Sequence, residues 1–257
     1  MYRRPRLGQH FLHDQSVLAR IAAALELGPG RRVLEIGPGQ GALTEHLLAT
    51  GAHVTAIEVD PKLAAGLRAA YSSNPSFELI EADVLTVDLA ALAAQDRPAL
   101  AGNLPYYITS PIVRRALDLG DRITQSVFLM QKEVADRICA GPGSRDYGYL
   151  SALCQLRSEP RTLFRVRPGS FNPPPKVESA VVRLTPRAGE APDPGFVRFL
   201  EAAFRQPRKT LRNNLSSLYA SEALAEEDAV GKRAQQLSVG ELEALYQSLG
   251  NTMRMKM

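Results

Sequence analysis

The chain has 257 residues, of which 45% are hydrophobic and 23% charged, and carries a formal net charge of +4. That length buries a full core, as one large domain or as a large and a small one, and no apolar run is long enough to span a membrane. The basic start MYRRPRLGQHFLHD lacks the apolar stretch of a secretory signal, and Cys139 and Cys154 form neither a CxxC nor a metal-ligand spacing, so a cytoplasmic protein with reduced thiols is expected. His10, His13, His46 and His53 are scattered with no carboxylate or cysteine pattern to join them, and no metal is expected.

From the N-terminal side, Arg32–Ile36 is a short apolar run that ends in glycines, followed by leucines at helical spacing over 42–48. A second strand is read over 54–58, after which Asp60 and Pro61 supply an N-cap and an N1 proline for a helix through Tyr71. Further strands fall at 77–80, 98–101 and 126–130, with Ser110 and Pro111 repeating the cap-plus-proline signal for a helix that Gly120 can end. Strands alternating with helices predict a parallel sheet covered on both faces. The pattern then changes: 162–166 and 179–184 read as strands joined by a proline-rich loop with no helix between them, which fits an antiparallel edge hairpin. Residues 186–195 are a linker by composition, and everything beyond reads as helical, including the capping box Ser238–Glu241. An α/β domain over 1–186 followed by a linker and small helical domain over 187–257 is expected.

Glu35-Ile36-Gly37-Pro38-Gly39-Gln40-Gly41 closes the first strand and opens a helix. Glycines there let the backbone approach a ligand and leave helix N–H groups aimed at it. The spacing is not G-x-G-x-x-G, because the third glycine comes one residue early, and Pro38 removes a donor that a pyrophosphate needs. Both facts count against a nicotinamide dinucleotide. Glu58 ends the second strand, where a carboxylate takes ribose hydroxyls. Asp83 ends the third, where it can accept from an adenine amine. Each is also a plausible helix cap, but glycines, Glu58 and Asp83 on successive strand ends point to a nucleoside site.

The fourth strand end brings Ala101-Gly102-Asn103-Leu104-Pro105-Tyr106-Tyr107-Ile108-Thr109 to the same edge. Pro105 fixes the backbone, so that neighbouring carbonyls and the Asn103 side-chain oxygen can act together as acceptors for an –NH2 group. Tyr106 offers a flat face for the base that bears it. An exocyclic adenine amine is a poor nucleophile because its lone pair is delocalised into the ring. Accepting its hydrogens favours a pyramidal nitrogen that can attack a methyl sulfonium, and the proton can leave after the new bond has formed. Tyr107 is read as a core residue.

Basic residues gather at Arg3, Arg4 and Arg6, at Arg161, Arg165 and Arg167, and at Arg205, Arg208, Lys209 and Arg212. Any one cluster is most simply a solvated surface; three of them beside a nucleic-acid chemistry motif favour a polyanionic partner.

Asn103-Leu104-Pro105-Tyr106 resembles the N-L-P-Y motif of adenine-N6 methyltransferases. Leu7-Gly8-Gln9-His10-Phe11-Leu12 is similar to their Q-N/H-F-L segment, which closes over the cofactor, and Glu35 to Gly41 to their E-I-G-P-G-x-G loop. Phe171-Asn172-Pro173-Pro174-Pro175-Lys176-Val177-Glu178-Ser179 resembles F-x-P-P-P-K-V-x-S, and Arg208-Lys209-Thr210-Leu211-Arg212-Asn213-Asn214-Leu215 resembles R-K-T-L-R-N-x-L. Together these cover nearly the whole chain and resemble the small-subunit (16S) ribosomal RNA adenine-N6,N6-dimethyltransferases of the KsgA type. His10 stands where many members carry asparagine, and Pro207 interrupts the start of the basic helix, where it can serve as an N1 proline.

The resemblance implies a class I S-adenosylmethionine-dependent methyltransferase fold (Rossmann-like, a mostly parallel sheet with an antiparallel edge hairpin). It also implies dimethylation of two adjacent adenines in the 3'-terminal hairpin of 16S rRNA, within a pre-30S particle, by a monomer. S-adenosyl-L-methionine would be held by Gln9, His10, Leu12, Gly37, Gly39, Glu58, Asp83 and Asn103. Asn103, Leu104, Pro105 and Tyr106 would form the catalytic turn, with Phe171 the second aromatic wall of the base pocket. Arg114, Arg115, Arg205, Arg208, Lys209 and Arg212 would meet RNA. Two rivals stand beside this reading: a large-subunit dimethylase of the macrolide-resistance type, and a 30S assembly factor that chiefly binds RNA. A DNA adenine methylase would more usually carry D/N-P-P-Y and a separate target-recognition domain, neither of which is present.

Overall fold

The structure is a computed structural model that describes residues 10–94, 96–189 and 191–250; Gln9 and the Arg3, Arg4 and Arg6 cluster lie outside the described residues. The chain forms two compact units, the first comprising 1–135 and 159–188 and the second 136–158 and 189–257. Among the described residues no helix is long and apolar enough to cross a membrane.

The first unit is built on a seven-stranded sheet. Its elements in chain order are β1 (Phe11–Leu12), α1 (Gln15–Ala24), β2 (Arg32–Ile36), α2 (Ala42–Ala49), β3 (His53–Glu58), α3 (Pro61–Tyr71), β4 (Phe77–Glu81), α4 (Leu89–Leu92), β5 (Ala99–Asn103), α5 (Thr109–Asp118) and β6 (Ser126–Gln131). Next come α6 (Lys132–Cys139), which crosses into the second unit, and α7 (Tyr149–Arg157), which belongs to it, then β7 (Ser158–Val166), β8 (Phe171–Asn172) and β9 (Ser179–Pro186) back in the first. The sheet order is β4-β3-β2-β5-β6-β9-β7. The five strands β4 to β6 pair in parallel, and β9 pairs antiparallel with β6. A separate two-stranded ribbon joins β1 to β8, with Leu12 opposite Phe171.

Local chemistry explains much of this. The strands β2 and β3 are buried continuously rather than at alternate residues, as strands covered on both faces are, with Glu35, Thr55 and Glu58 the buried polar residues among their apolar ones. Asp60 caps α3 by accepting from the N–H groups of Lys62 and Leu63, with Pro61 at the first helical position. The helix expected to start at Ser110 and Pro111 starts earlier. A 3-10 turn over Tyr106–Ile108 runs directly into α5, and the Thr109 hydroxyl bonds back to the Pro105 carbonyl at 3.1 Å.

The second unit adds α8 (Pro194–Ala203), α9 (Leu211–Leu215), α10 (Ser221–Ala225) and α11 (Val239–Leu249). Phe196, Phe199, Phe204, Tyr219, Leu242 and Leu245 build its core, joined by Tyr147 and Ala152 from the 136–158 segment. The capping box is present: Ser238 Oγ accepts from Glu241 N–H, and the Glu241 carboxylate accepts from Ser238 N–H. Pro207 lies in the turn between α8 and α9, and α9 is capped at Thr210, so the proline opens no helix. Buried Asn214 holds that turn. Its amide N–H groups donate to the carbonyls of Ala203 and Gln206, and its oxygen accepts from Gln206 N–H. Neither Cys139 nor Cys154 forms a disulfide.

One close approach sets the geometry of the sheet edge. A Cβ on Gly102 of β5 would lie 2.5 Å from the Ile36 carbonyl oxygen of β2 and 3.1 Å from a Leu104 methyl. Only glycine lets β5 run this near the end of β2. Gly102→Ala is expected to lower the unfolding free energy by about 1–3 kcal/mol in urea titrations, the usual cost of overpacking; an unchanged stability would show that the two strand ends part freely.

Candidate active site

Chain order and sheet order diverge between β2 and β5: β3 and β4 build outward on one side of β2, and β5 returns to the other. Ligands of open α/β sheets bind at the carboxyl ends of strands on either side of such a reversal. A cavity of about 370 Å³ opens there, lined by Gly37 and Gly39 after β2, Glu58 at the end of β3, Asp83 after β4 and Asn103 at the end of β5. His10 and Leu12 form part of its wall. These residues are distant in sequence and meet because parallel strands all end on one edge.

Glu58 is buried, at 3% exposure. One carboxylate oxygen accepts from Val59 N–H at 3.0 Å and Asp60 N–H at 2.9 Å, and the other from Gly39 N–H at 3.1 Å. Since a carboxylate offers about four lone-pair positions, roughly one direct contact remains on Oε2. A ribose hydroxyl would meet here an already oriented carboxylate with one acceptor position left. Asp83 gives one oxygen to Leu85 N–H at 2.9 Å and keeps the other as an acceptor at the cavity mouth. A buried oriented carboxylate, with a second acceptor one strand away on one side and glycines one strand away on the other, fits the ribose and base of an adenosyl group.

The Asn103 amide donates to the His10 carbonyl at 3.0 Å. This fixes the side chain and leaves its oxygen as the outward acceptor. Of the neighbouring carbonyls, that of Pro105 is taken by Ile108 N–H and the Thr109 hydroxyl, so the acceptor set is Asn103 Oδ1 with the Leu104 carbonyl. Leu104 is itself anchored through its N–H to Leu129 O on β6. Tyr106 is half-buried, its hydroxyl 2.9 Å from Ser179 Oγ and its ring 5.5 Å from the His10 ring, and burial raises its pKa. His10 Nδ1 lies 2.7 Å from the Pro173 carbonyl, and the Phe11 ring lies over Gly39, where a Cβ would meet it at 3.2 Å.

Three residues stand elsewhere than the sequence reading put them. Phe171 is 2% exposed, pairs with Leu12 and packs in the core cluster of Leu12, Val17 and Ile21, behind the lining residues Leu12 and Ile21 and not itself among those that line the cavity. It forms no wall opposite Tyr106. Tyr107, read as a core residue, is 59% exposed and lines the cavity. Arg115 does not face outward as an RNA contact: its guanidinium donates to the carbonyls of Val84, at 2.7 Å, and Val87, bracing the loop that carries Asp83. Arg114 beside it is exposed, as are Arg205, Arg208, Lys209 and Arg212 in the second unit. The sequence offered a signal for one partner that was missed: Ser179, which holds Tyr106, ends the proline-loop motif. Arg115 and Thr109 bond to backbone carbonyls and leave no such signature.

Glu35 is a further acid in the cavity wall, 1% exposed, with the Thr44 hydroxyl donating to it at 2.6 Å. Burial pushes its carboxyl up to about 7, aided by the charge of Glu58 and opposed by the Thr44 hydrogen bond. A carboxyl raised in the folded state contributes stability that is full below its unfolded value and is lost as pH rises through the folded one. The unfolding free energy should therefore fall between about pH 4.5 and pH 7. Glu35→Gln, which keeps an acceptor for Thr44, should flatten that fall in denaturation curves across the range; parallel wild-type and variant profiles would contradict it.

The chain from residue 2 to residue 249 matches the model of the family described as ribosomal RNA adenine dimethylase. It is 42% identical over 253 residues to the ribosomal RNA small subunit methyltransferase A of Pseudomonas syringae pv. tomato, covering 96% of this chain and 94% of that one. To the protein of the same name from Geobacter sulfurreducens it is 46% identical over 219 residues, 82% of this chain and 79% of that one. Among solved structures, a dimethyladenosine transferase from Plasmodium falciparum superposes with a TM-score of 0.78 at 25% identity, over 92% of this chain and 96% of that one. The 23S rRNA methyltransferase ErmE does so with a TM-score of 0.72 at 30% identity, over 93% and 99%. With the glycine loop, the N-L-P-Y turn and the proline loop all at one sheet edge, the chain belongs to the ribosomal RNA adenine dimethylase family.

Proposed function

We propose that this protein transfers methyl groups from S-adenosylmethionine to N6 of two adjacent adenines in the 3'-terminal hairpin of 16S rRNA, acting as a monomer in the cytoplasm on a pre-30S particle. The observation that carries the reading is the pairing of Asn103 Oδ1 with the Leu104 carbonyl beside the half-buried ring of Tyr106. The small-subunit names of the relatives favour this target over large-subunit RNA.

S-adenosylmethionine supplies an electrophilic methyl on a sulfonium. The residues of this chain do the rest. Glu58 and Asp83 hold the adenosyl part, and the glycine loop brings backbone close to it. Asn103 Oδ1 and the Leu104 carbonyl accept the two amine hydrogens of the target base, which turns the nitrogen lone pair out of conjugation. Pro105 presets the turn that aligns them, and Tyr106 stacks on the base, an interaction worth about 1–3 kcal/mol. The amine needs no prior deprotonation; its proton leaves once the carbon–nitrogen bond exists. Arg114, Arg205, Arg208, Lys209 and Arg212 contact phosphates.

The test is methyl transfer from labelled S-adenosylmethionine to unmodified small subunits, with the modified bases mapped. Wild-type protein should label the adenine pair, and Asn103→Ala should lower kcat by about 100-fold or more, the scale of removing one preorganised polar group. Absence of transfer by the wild type overturns the assignment. RNA affinity should also fall steeply with salt. Replacing Arg208 and Lys209 with alanine should reduce the log–log slope by about two, and an unchanged slope would remove these residues from the RNA contact.

A further inference from the structure

Large apolar side chains exposed to solvent are few in the described residues, and where they lie is informative. They are Leu85 at 36%, Tyr107 at 59% and Val177 at 47%. They come from three separate loops, after β4, after β5 and before β9. Leu85 and Tyr107 line the cavity. Val177 sits in the span from Pro173 to Ser179, which is tied to the cavity wall at both ends, by Pro173 O to His10 and by Ser179 Oγ to Tyr106. Two of the three exposed apolar side chains thus line one pocket and the third stands in a loop tied to its wall, a grouping that single solvated residues do not need but an interaction site does.

Tyr106 and Tyr107 are neighbours in sequence with opposite environments. A 3-10 turn spaces successive side chains about 120° apart, so Tyr106 turns in toward Ser179 while Tyr107 stands out at the rim. One aromatic and two aliphatic groups there, beside the Asp83 carboxylate, suit the faces of nucleobases rather than phosphates.

We propose that this rim holds the nucleobase adjoining the target adenine, with Tyr107 as its stacking platform and Leu85 and Val177 as flanking apolar contacts. The inference rests on the function proposed above. Drawing one adenine into the pocket strips its neighbour of a stacking partner, and an exposed ring at the mouth replaces it. With two adjacent adenines as substrate, the base on the rim is the one not being methylated at that moment. Tyr107 in this role sets affinity and register for the RNA, while the acceptors at Asn103 and Leu104 carry the chemistry.

The experiment compares wild type, Tyr107→Phe and Tyr107→Ala, changes at a side chain that is 59% exposed, with a thermal melt of each variant beside the kinetics. Steady-state kinetics use unmodified small subunits, and binding uses a hairpin RNA with 2-aminopurine next to the target adenine. The wild type and Tyr107→Phe should quench the 2-aminopurine fluorescence on binding. Tyr107→Ala should lose the quenching and raise KM for RNA by about tenfold or more, with KM for S-adenosylmethionine and the salt slope unchanged. Adding Leu85→Ser and Val177→Ser should raise KM for RNA further. Unchanged KM and quenching in Tyr107→Ala overturns the proposal, as does equal loss in Tyr107→Phe, which would assign the effect to the hydroxyl. The two readings fail separately: quenching without methyl transfer by the wild type overturns the enzymatic assignment alone, and transfer without quenching overturns the rim alone.

Discussion

Glu58 accepts hydrogen bonds from the backbone N–H groups of Gly39, Val59 and Asp60, so one buried carboxylate fixes both the glycine loop after β2 and the turn after β3. A buried charge is tolerated only when hydrogen bonds surround it, and here the donors are all main chain. The same turn carries Asp60, whose own carboxylate starts α3. Moving Glu58 would unseat the loop, the turn and the helix start together. Its cost appears next door: the negative charge of Glu58 is one cause of the raised pKa of Glu35, which burial dominates.

Around this fixed point the catalytic turn is assembled from polar groups that hold one another. Asn103 bonds to the main chain of His10, His10 to Pro173, and Tyr106 to Ser179. The N-terminal segment, the β5 turn and the proline loop are therefore linked by three hydrogen bonds between residues far apart in sequence. Arg115 adds a fourth element by holding the loop that bears Asp83. Preorganisation of this kind places acceptors before a substrate arrives, which is the form of stabilisation that costs least during reaction.

Much of the sheet was legible because buried parallel strands are short apolar runs between glycines and caps. β2 reads directly from Arg32 to Ile36. β5 extends two residues beyond its apolar run, because Gly102 and Asn103 look like turn residues although a close approach and a ligand edge require them there. Residues 132–157 gave no assignment, and α6 and α7 occupy them. The placement of Phe171 could not be read locally. A phenylalanine before Asn172 and three prolines looks like a loop residue, and only its pairing with β1 at the other end of the unit buries it. The sidedness of Tyr107 depends on a single 3-10 turn, and the brace of Arg115 on main-chain carbonyls, neither of which has a residue pattern. The residues of the site were legible through motif and strand position; their mutual supports were not.

The contact between His10 and Pro173 has one more consequence. A peptide carbonyl can only accept, so the His10 ring must carry a hydrogen on Nδ1 for the 2.7 Å contact to form. In the neutral ring this fixes the tautomer, with Nε2 as the acceptor nitrogen. The link between the N-terminal segment and the proline loop is thus a side-chain donor meeting a main-chain acceptor. What this seam of the pocket asks of the position is a side-chain N–H, and an asparagine amide, which also offers one, can take the same place.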